Sequence, residues 1–262
     1  MNHFVKVARF ENTKTFLSHV LWIVFGIVIV IQPLLAFVEA IQLAKIGIDA
    51  TPVTHPELAV ALPSVDYFGF DLVPFGQVAM VVLGSIIGAS EFRNRELRTT
   101  LLCLNKRART FLAKLAVILM YSTIVSISSM VVTIAITHVG LGSQGLNPII
   151  LSPTAWLFIT YSVLDWVFLT LLSFGIGVIS RNSIVPMVLL IPQCVGLGNL
   201  LAEKWIWGSY LPVAAGNLLF ASPTDTIVHD PVKGSVVLLS WTVVTLSMAA
   251  FLFIRRDVGG NP

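Results

Sequence analysis

An aspartate at position 165 stands inside an otherwise apolar run, with Tyr161 and Trp166 close by. A carboxyl group in so apolar a segment is costly to keep there. It marks either a functional site, where it would contact a substrate or respond to protons, or a structural carboxyl held by a neighbouring helix. Other chemistry-bearing patterns are sparse. The chain has no G-x-x-x-x-G-K-[ST] to cradle phosphates, no H-E-x-x-H to hold zinc and no G-x-S-x-G to present a serine nucleophile. His55, His138 and His229 fall outside or at the edges of the apolar runs, and no spacing joins His138 with Ser143 or Asp165 into a hydrolase set. Cys103 and Cys194 fit neither a disulfide framework nor a zinc site. No metal, no cofactor and no enzyme active site is expected in this chain.

The second feature is a dense charged stretch, Glu91-Phe92-Arg93-Asn94-Arg95-Glu96-Leu97-Arg98-Thr99-Thr100-Leu101-Leu102, followed by Asn105-Lys106-Arg107-Ala108-Arg109 and Lys114. Phe92, Leu97, Leu101 and Leu104 recur at helical spacing with charges between them, the pattern of an amphipathic helix on a membrane face. Glu91 and Glu96 among the arginines suit a specific protein interface better than simple attraction to lipid. The plainer reading is a solvated loop whose positive charge only sets topology.

The elements that must position these residues are membrane spans. Of 262 residues, 56% are hydrophobic and only 11% charged, with a mean hydropathy of +0.90; soluble domains carry about 25% charged residues. Six apolar stretches are long enough to cross a bilayer: Leu17–Val38, Leu72–Ser90, Leu115–Val139, Trp156–Ser180, Ile184–Ala202 and Val236–Ile254. The expected fold is therefore a single all-α membrane domain with six transmembrane helices. Val38-Glu39-Ala40 faintly resembles a cleavage site, but the run before it is too long for a signal peptide and reads as an uncleaved first span.

Pro186, Pro192, Gly196 and Gly198 predict a kinked or broken fifth span. Gly84 and Gly88 form a G-x-x-x-G in the second, read as packing within the chain. The outer loop after the fifth span opens with Trp205, Trp207 and Tyr210, an interfacial aromatic belt. Its apolar stretch Leu211–Phe220 is too short to span and predicts a short re-entrant or interfacial helix.

Charge orients the spans. With the N-terminus in the cytoplasm, only Lys45, Lys204 and Lys233 of the 16 basic residues lie outside. The positive-inside bias thus puts both termini in the cytoplasm. The net charge of +3 follows from this topology and calls for no nucleic-acid partner.

The charged stretch, its place in the topology and the ending Phe253-Ile254-Arg255-Arg256-Asp257 resemble the permease subunits of type 2 ABC exporters, whose membrane fold is that of the ABCG-like transporters. In that family the second span ends in Glu, as at Glu91. A Thr-Leu stretch and Leu pair follow, as at Thr100 to Leu102, then a basic turn and a Lys opening the third span, as at Lys114. Thr99 stands where the family usually has Gly, and the usual Pro of the basic turn is absent.

The resemblance implies that residues 91–104 form a coupling helix seated in a separate ATPase subunit. Glu91, Phe92, Arg93, Arg95, Glu96, Arg98, Thr99 and Leu101 would be its contact residues. It also implies two ATPase copies carrying the ATP and Mg, a second permease that is identical or related, and an N-terminal elbow helix built on Phe4, Val7, Ala8 and Phe10 among Lys6, Arg9 and Lys14. Residence in the cytoplasmic membrane follows from the same resemblance.

The expected function is a permease subunit moving an amphipathic or hydrophobic substrate, such as a drug, peptide antibiotic or lipid. Asp165, Tyr161 and Trp166 are candidates for its pathway. The rival is a membrane anchor, sensor or immunity protein that uses the same loop to hold a signalling partner. A secondary transporter fits less well, because no ionisable group besides Asp165 sits deep in a span and no inverted repeat is visible.

Overall fold

The computed structural model describes residues 3–56, 58, 61–90, 92, 107–223 and 228–255. Among them every regular element is a helix. Helix α1 is His3–Phe16. Helix α2, His19–Ile46, contains a π-helical stretch at Ile27–Ile31. Helix α3 is Val73–Ser90, α4 is Arg107–Leu141 and α5 is Pro153–Ser180. Helix α6, Ile184–Lys204, is interrupted at Gln193–Leu197. A short helix α7, Pro212–Asn217, precedes α8, Pro231–Arg255. The segments containing α2, α3, α4, α5, α6 and α8 are six helices long and apolar enough to cross a membrane.

Helix α5 is the axis of the bundle. In its most apolar window 78% of residues are buried, against 22% for α6 and 28% for α8. Its start is well specified: the Ser152 hydroxyl accepts from the Ala155 N–H at 3.1 Å, and Pro153 sits at the first turn, where its missing N–H costs nothing. Between helices in lipid, apolar burial brings no hydrophobic gain, so close approach and hydrogen bonds must hold them. The α3–α5 contact shows how. A side chain at Gly84 or Gly88 would collide with the backbone of Thr170 or Phe174, so the G-x-x-x-G is consumed by packing within the chain. The Ser173 hydroxyl then donates to the Val81 carbonyl at 2.6 Å.

Helices α2 and α4 run side by side in the same direction. The Ser129 hydroxyl donates to the Val28 carbonyl at 2.6 Å, and further along the Gln144 amide donates to the Ala44 carbonyl at 3.3 Å. The first bond has a local cause. In the π-helical stretch the Gln32 N–H reaches the Ile27 carbonyl, so the next donor in the series would be residue 33, which is proline. The hydroxyl of Ser129 supplies the hydrogen that Pro33 lacks.

Sequence patterning places a long loop from Glu39 onward. Helix α2 instead runs on to Ile46, because nothing between Glu39 and Lys45 stops it, and ends at Gly47 with φ 99°, where a residue with a β-carbon would be strained. Helix α1 lays Val7, Glu11 and Thr15, one turn apart, against the start of α4. Glu11 there meets Lys114 at 3.7 Å, both nearly fully buried.

Candidate functional site

Asp165 lies wholly buried at the middle of α5. Gln77, also fully buried, reaches it from α3: one amide N–H donates to Asp165 Oδ2 at 2.7 Å and the other to Asn217 Oδ1 at 2.9 Å. Asn217 in turn donates from Nδ2 to Asn199 Oδ1 at 2.6 Å. One hydrogen-bonded chain therefore joins four segments: α5, α3, α7 and the second half of α6.

Each segment is brought there by a local feature. Helix α7 starts on Pro212 and is buried along its whole length, so the apolar stretch after the aromatic belt turns back into the bundle. At Gly216 its backbone lies against Asp165 Oδ1, and no side chain fits between them. Helix α6 breaks after Pro192, with Val195 at φ −85°, ψ 19° and Gly196 at φ 109°, a conformation glycine adopts freely. Beyond the break the helix resumes as Gly198–Lys204, which carries Asn199 to Asn217. The interruption expected from the prolines and glycines is thus what lets α6 contribute to the cluster.

The electrostatics are unbalanced. Asp165 Oδ1 and Gln77 Oε1 are buried without a hydrogen-bond partner among the described residues. A buried polar group in that condition costs about 1–3 kcal/mol. Among the described residues no three His, Cys, Asp or Glu side chains gather closely enough to hold a metal ion. What the cluster offers is one carboxyl, three carboxamides and two oxygens without a hydrogen-bond partner, gathered where four segments meet: groups suited to polar recognition.

Trp166 and Tyr161 part company with Asp165. The Trp166 ring packs against Gly76, and its Nε1–H donates to the Val73 carbonyl at 3.2 Å, so it is a packing residue of the α3–α5 contact. Tyr161 joins an aromatic group with Phe158 and His229, which stack at 5.3 Å. Gln77, Asn199 and Asn217 are the members that sequence reading missed. A glutamine deep in the second span was visible; its partnership with Asp165, 88 positions away, was not.

At the opposite end of the bundle lie the borders of the charged loop. Its contact candidates Glu91, Arg93, Arg95, Glu96, Arg98, Thr99 and Leu101 lie outside the described residues; Phe92 is within them. Arg181, at the turn between α5 and α6, places its guanidinium over the Phe92 ring at 5.2 Å. Phe92 also meets Phe253 of α8 edge-on at 6.5 Å. On the return side of the loop, Arg107 donates to the Ile254 carbonyl at 3.3 Å, and Phe111 packs on Phe253 at 5.6 Å. No family model and no curated protein matches the chain.

Proposed function

We propose that this chain is the membrane-spanning permease subunit of an ATP-driven exporter. It sits in the cytoplasmic membrane with both termini inside and is coupled to a separate ATPase. One observation carries the reading. The two described borders of the basic loop, Phe92 and Arg107, both bear on the end of α8, and Phe92 also bears on the α5–α6 turn. A force applied to the loop by a soluble partner would reach α8 and α6 directly. Those are the two membrane-length helices least buried by the rest of the chain.

At the far end, α6 is already broken, and its second half is tied to α7 through the Asn217–Asn199 amide hydrogen bond, so an interrupted helix lies opposite the part best placed to receive force. Two ATPase copies would grip the loops of two permeases, and closure on ATP would tilt the spans to open a path outward. The substrate would be amphipathic or hydrophobic, because the spans offer a single deep carboxyl and amides to recognise it. Asp165 and Gln77, with their open oxygens, would contact its polar part.

The test is co-expression with a separately encoded ATPase bearing G-x-x-x-x-G-K-[ST], followed by purification through this chain and measurement of ATP hydrolysis. The wild-type chain is expected to bring down an active ATPase, and Glu91→Ala/Arg98→Ala to lower recovery or hydrolysis about tenfold, the loss of roughly one charged contact. Recovery of no ATPase, or recovery indifferent to the double substitution, favours instead a membrane anchor or sensor.

A further inference from the structure

The cluster around Asp165 is short of hydrogens. Side-chain oxygens of Asp165, Gln77, Asn217 and Asn199 meet there, and three of them accept an amide N–H: Asp165 Oδ2 at 2.7 Å, Asn217 Oδ1 at 2.9 Å and Asn199 Oδ1 at 2.6 Å. Gln77 Nε2 thereby spends both of its hydrogens. The oxygens left over, Asp165 Oδ1 and Gln77 Oε1, are buried and have no donor among the described residues. Both belong to one bonded pair. Oδ1 is on the carboxyl whose other oxygen takes the Gln77 N–H, and Oε1 is on the carboxamide that gives it. As a carboxylate, Asp165 offers acceptors only, and the two leftover oxygens repel. As a carboxylic acid it gains one O–H, and an acid and a carboxamide then present complementary donor and acceptor edges.

Nothing around Asp165 balances a charge. It makes no ion pair among the described residues. The groups set around it are uncharged: Gln77 from α3, Gly216 and Asn217 from α7, and the buried Cys194 thiol from α6. On α4 and α8, which also pack against α5, the described lysines and arginines lie elsewhere. Lys114 meets Glu11, Arg107 the Ile254 carbonyl, Lys233 the Ser209 hydroxyl and Arg255 the Phe251 ring, while Arg109 is exposed. A carboxyl group buried without a cation is far cheaper to keep neutral than charged.

We propose that Asp165 is a proton-binding site. Its carboxylate takes up one proton from water, becomes a neutral acid and donates from Oδ1 to Gln77 Oε1. The proton closes a second hydrogen bond between α5 and α3 and leaves Oδ1 uncharged against the Gly216 backbone of α7. Loss of the proton leaves a charge that water must solvate, and water reaches it only as α7 moves off α5. The proton is thus tied to the junction that holds α7 and the second half of α6. A ligand with its own donor competes for the same two oxygens, but the proton site stands without an ATPase or a substrate and is independent of the exporter reading.

The test is unfolding of the purified full chain in detergent across pH, wild type against Asp165→Asn. Asparagine has the shape and the donor of the protonated acid and carries no charge, so the variant is expected to be at least as stable as wild type at neutral pH. An unfolded chain releases the aspartate proton above a pH of about 3.9, whereas the folded chain keeps it, so wild-type stability falls as pH rises. Relative to the variant, the wild-type folding equilibrium should fall about tenfold per pH unit until the folded protein releases its proton. An ionised Asp165 gives the opposite result: the variant loses a charge-assisted hydrogen bond and is about tenfold or more less stable, by a margin that pH does not change above the ordinary carboxylate range. That result overturns the proposal. Infrared spectroscopy keeps the test decisive should Asp165→Asn unfold. The wild type at neutral pH is expected to show the carbonyl band of a protonated carboxyl group, shifted in Gln77→Met. Absence of the band, or a band that Gln77→Met leaves in place, overturns the proposal.

Discussion

At the scale of single residues, Asp165 is decided by its neighbours. Its Oδ1 lies against the backbone of Gly216, and Gln77 meets its Oδ2. Gly216→Ala should therefore push α7 away from α5 and destabilise the chain by about 1–3 kcal/mol. Asp165→Ala removes the obstructing oxygen, so the double substitution should cost less than the sum of the two single ones. Thermal unfolding of the four proteins in detergent measures this; strict additivity would show that the two residues do not touch. The buried Glu11–Lys114 pair carries a related lesson. Lys114 was read from sequence as the lysine opening the third span, yet its carboxylate partner lies on α1, about a hundred positions earlier, and only the folded chain pairs them.

At the scale of elements, proline placement explains two irregular helices. In α2, Pro33 withdraws an N–H, the helix widens into a π-turn, and Ser129 of α4 supplies the missing hydrogen. Ser129→Ala should then cost about 1 kcal/mol in the wild-type chain. In a Pro33→Ala background, where residue 33 can donate for itself, the same change should cost close to nothing. Chemical or thermal unfolding of this pair in detergent checks it, and an equal cost in both backgrounds would refute the substitution of hydroxyl for amide. In α6, Pro192 and Gly196 break the helix outright and bring Asn199 to the buried cluster. The same residue type bends one helix and interrupts the other because α2 has a hydroxyl on its neighbour to repair the ladder, whereas α6 has a glycine that can turn.

At the scale of the whole molecule, the two ends differ. One end gathers α1, the borders of the basic loop, Arg181 and the end of α8. The other holds the break in α6, α7 and the aromatic belt. The exporter reading requires the basic end to face the ATPase. Reporter fusions that are active on only one side of the membrane, placed at each terminus in turn, should therefore report both as cytoplasmic, as the basic residues predict. A terminus found outside would put the loop beyond reach of ATP and end that reading.

What the sequence determined by itself is what depends on local chemistry and on the bilayer as solvent. Runs of apolar residues about twenty long can only be satisfied as helices in lipid, so six membrane-length helices were legible, as were the broken α6 from its prolines and glycines and the short α7 from an apolar stretch too short to span. What only the tertiary structure decided is which side chains meet. Hydrogen bonds such as Gln77 to Asp165, or Gln77 to Asn217 across 140 positions, leave no periodic trace along the chain. Tyr161 and Trp166, neighbours of Asp165 in sequence, are carried by helical rotation and packing to separate contacts, because a helix turns successive side chains about 100° apart and the surrounding helices choose among them.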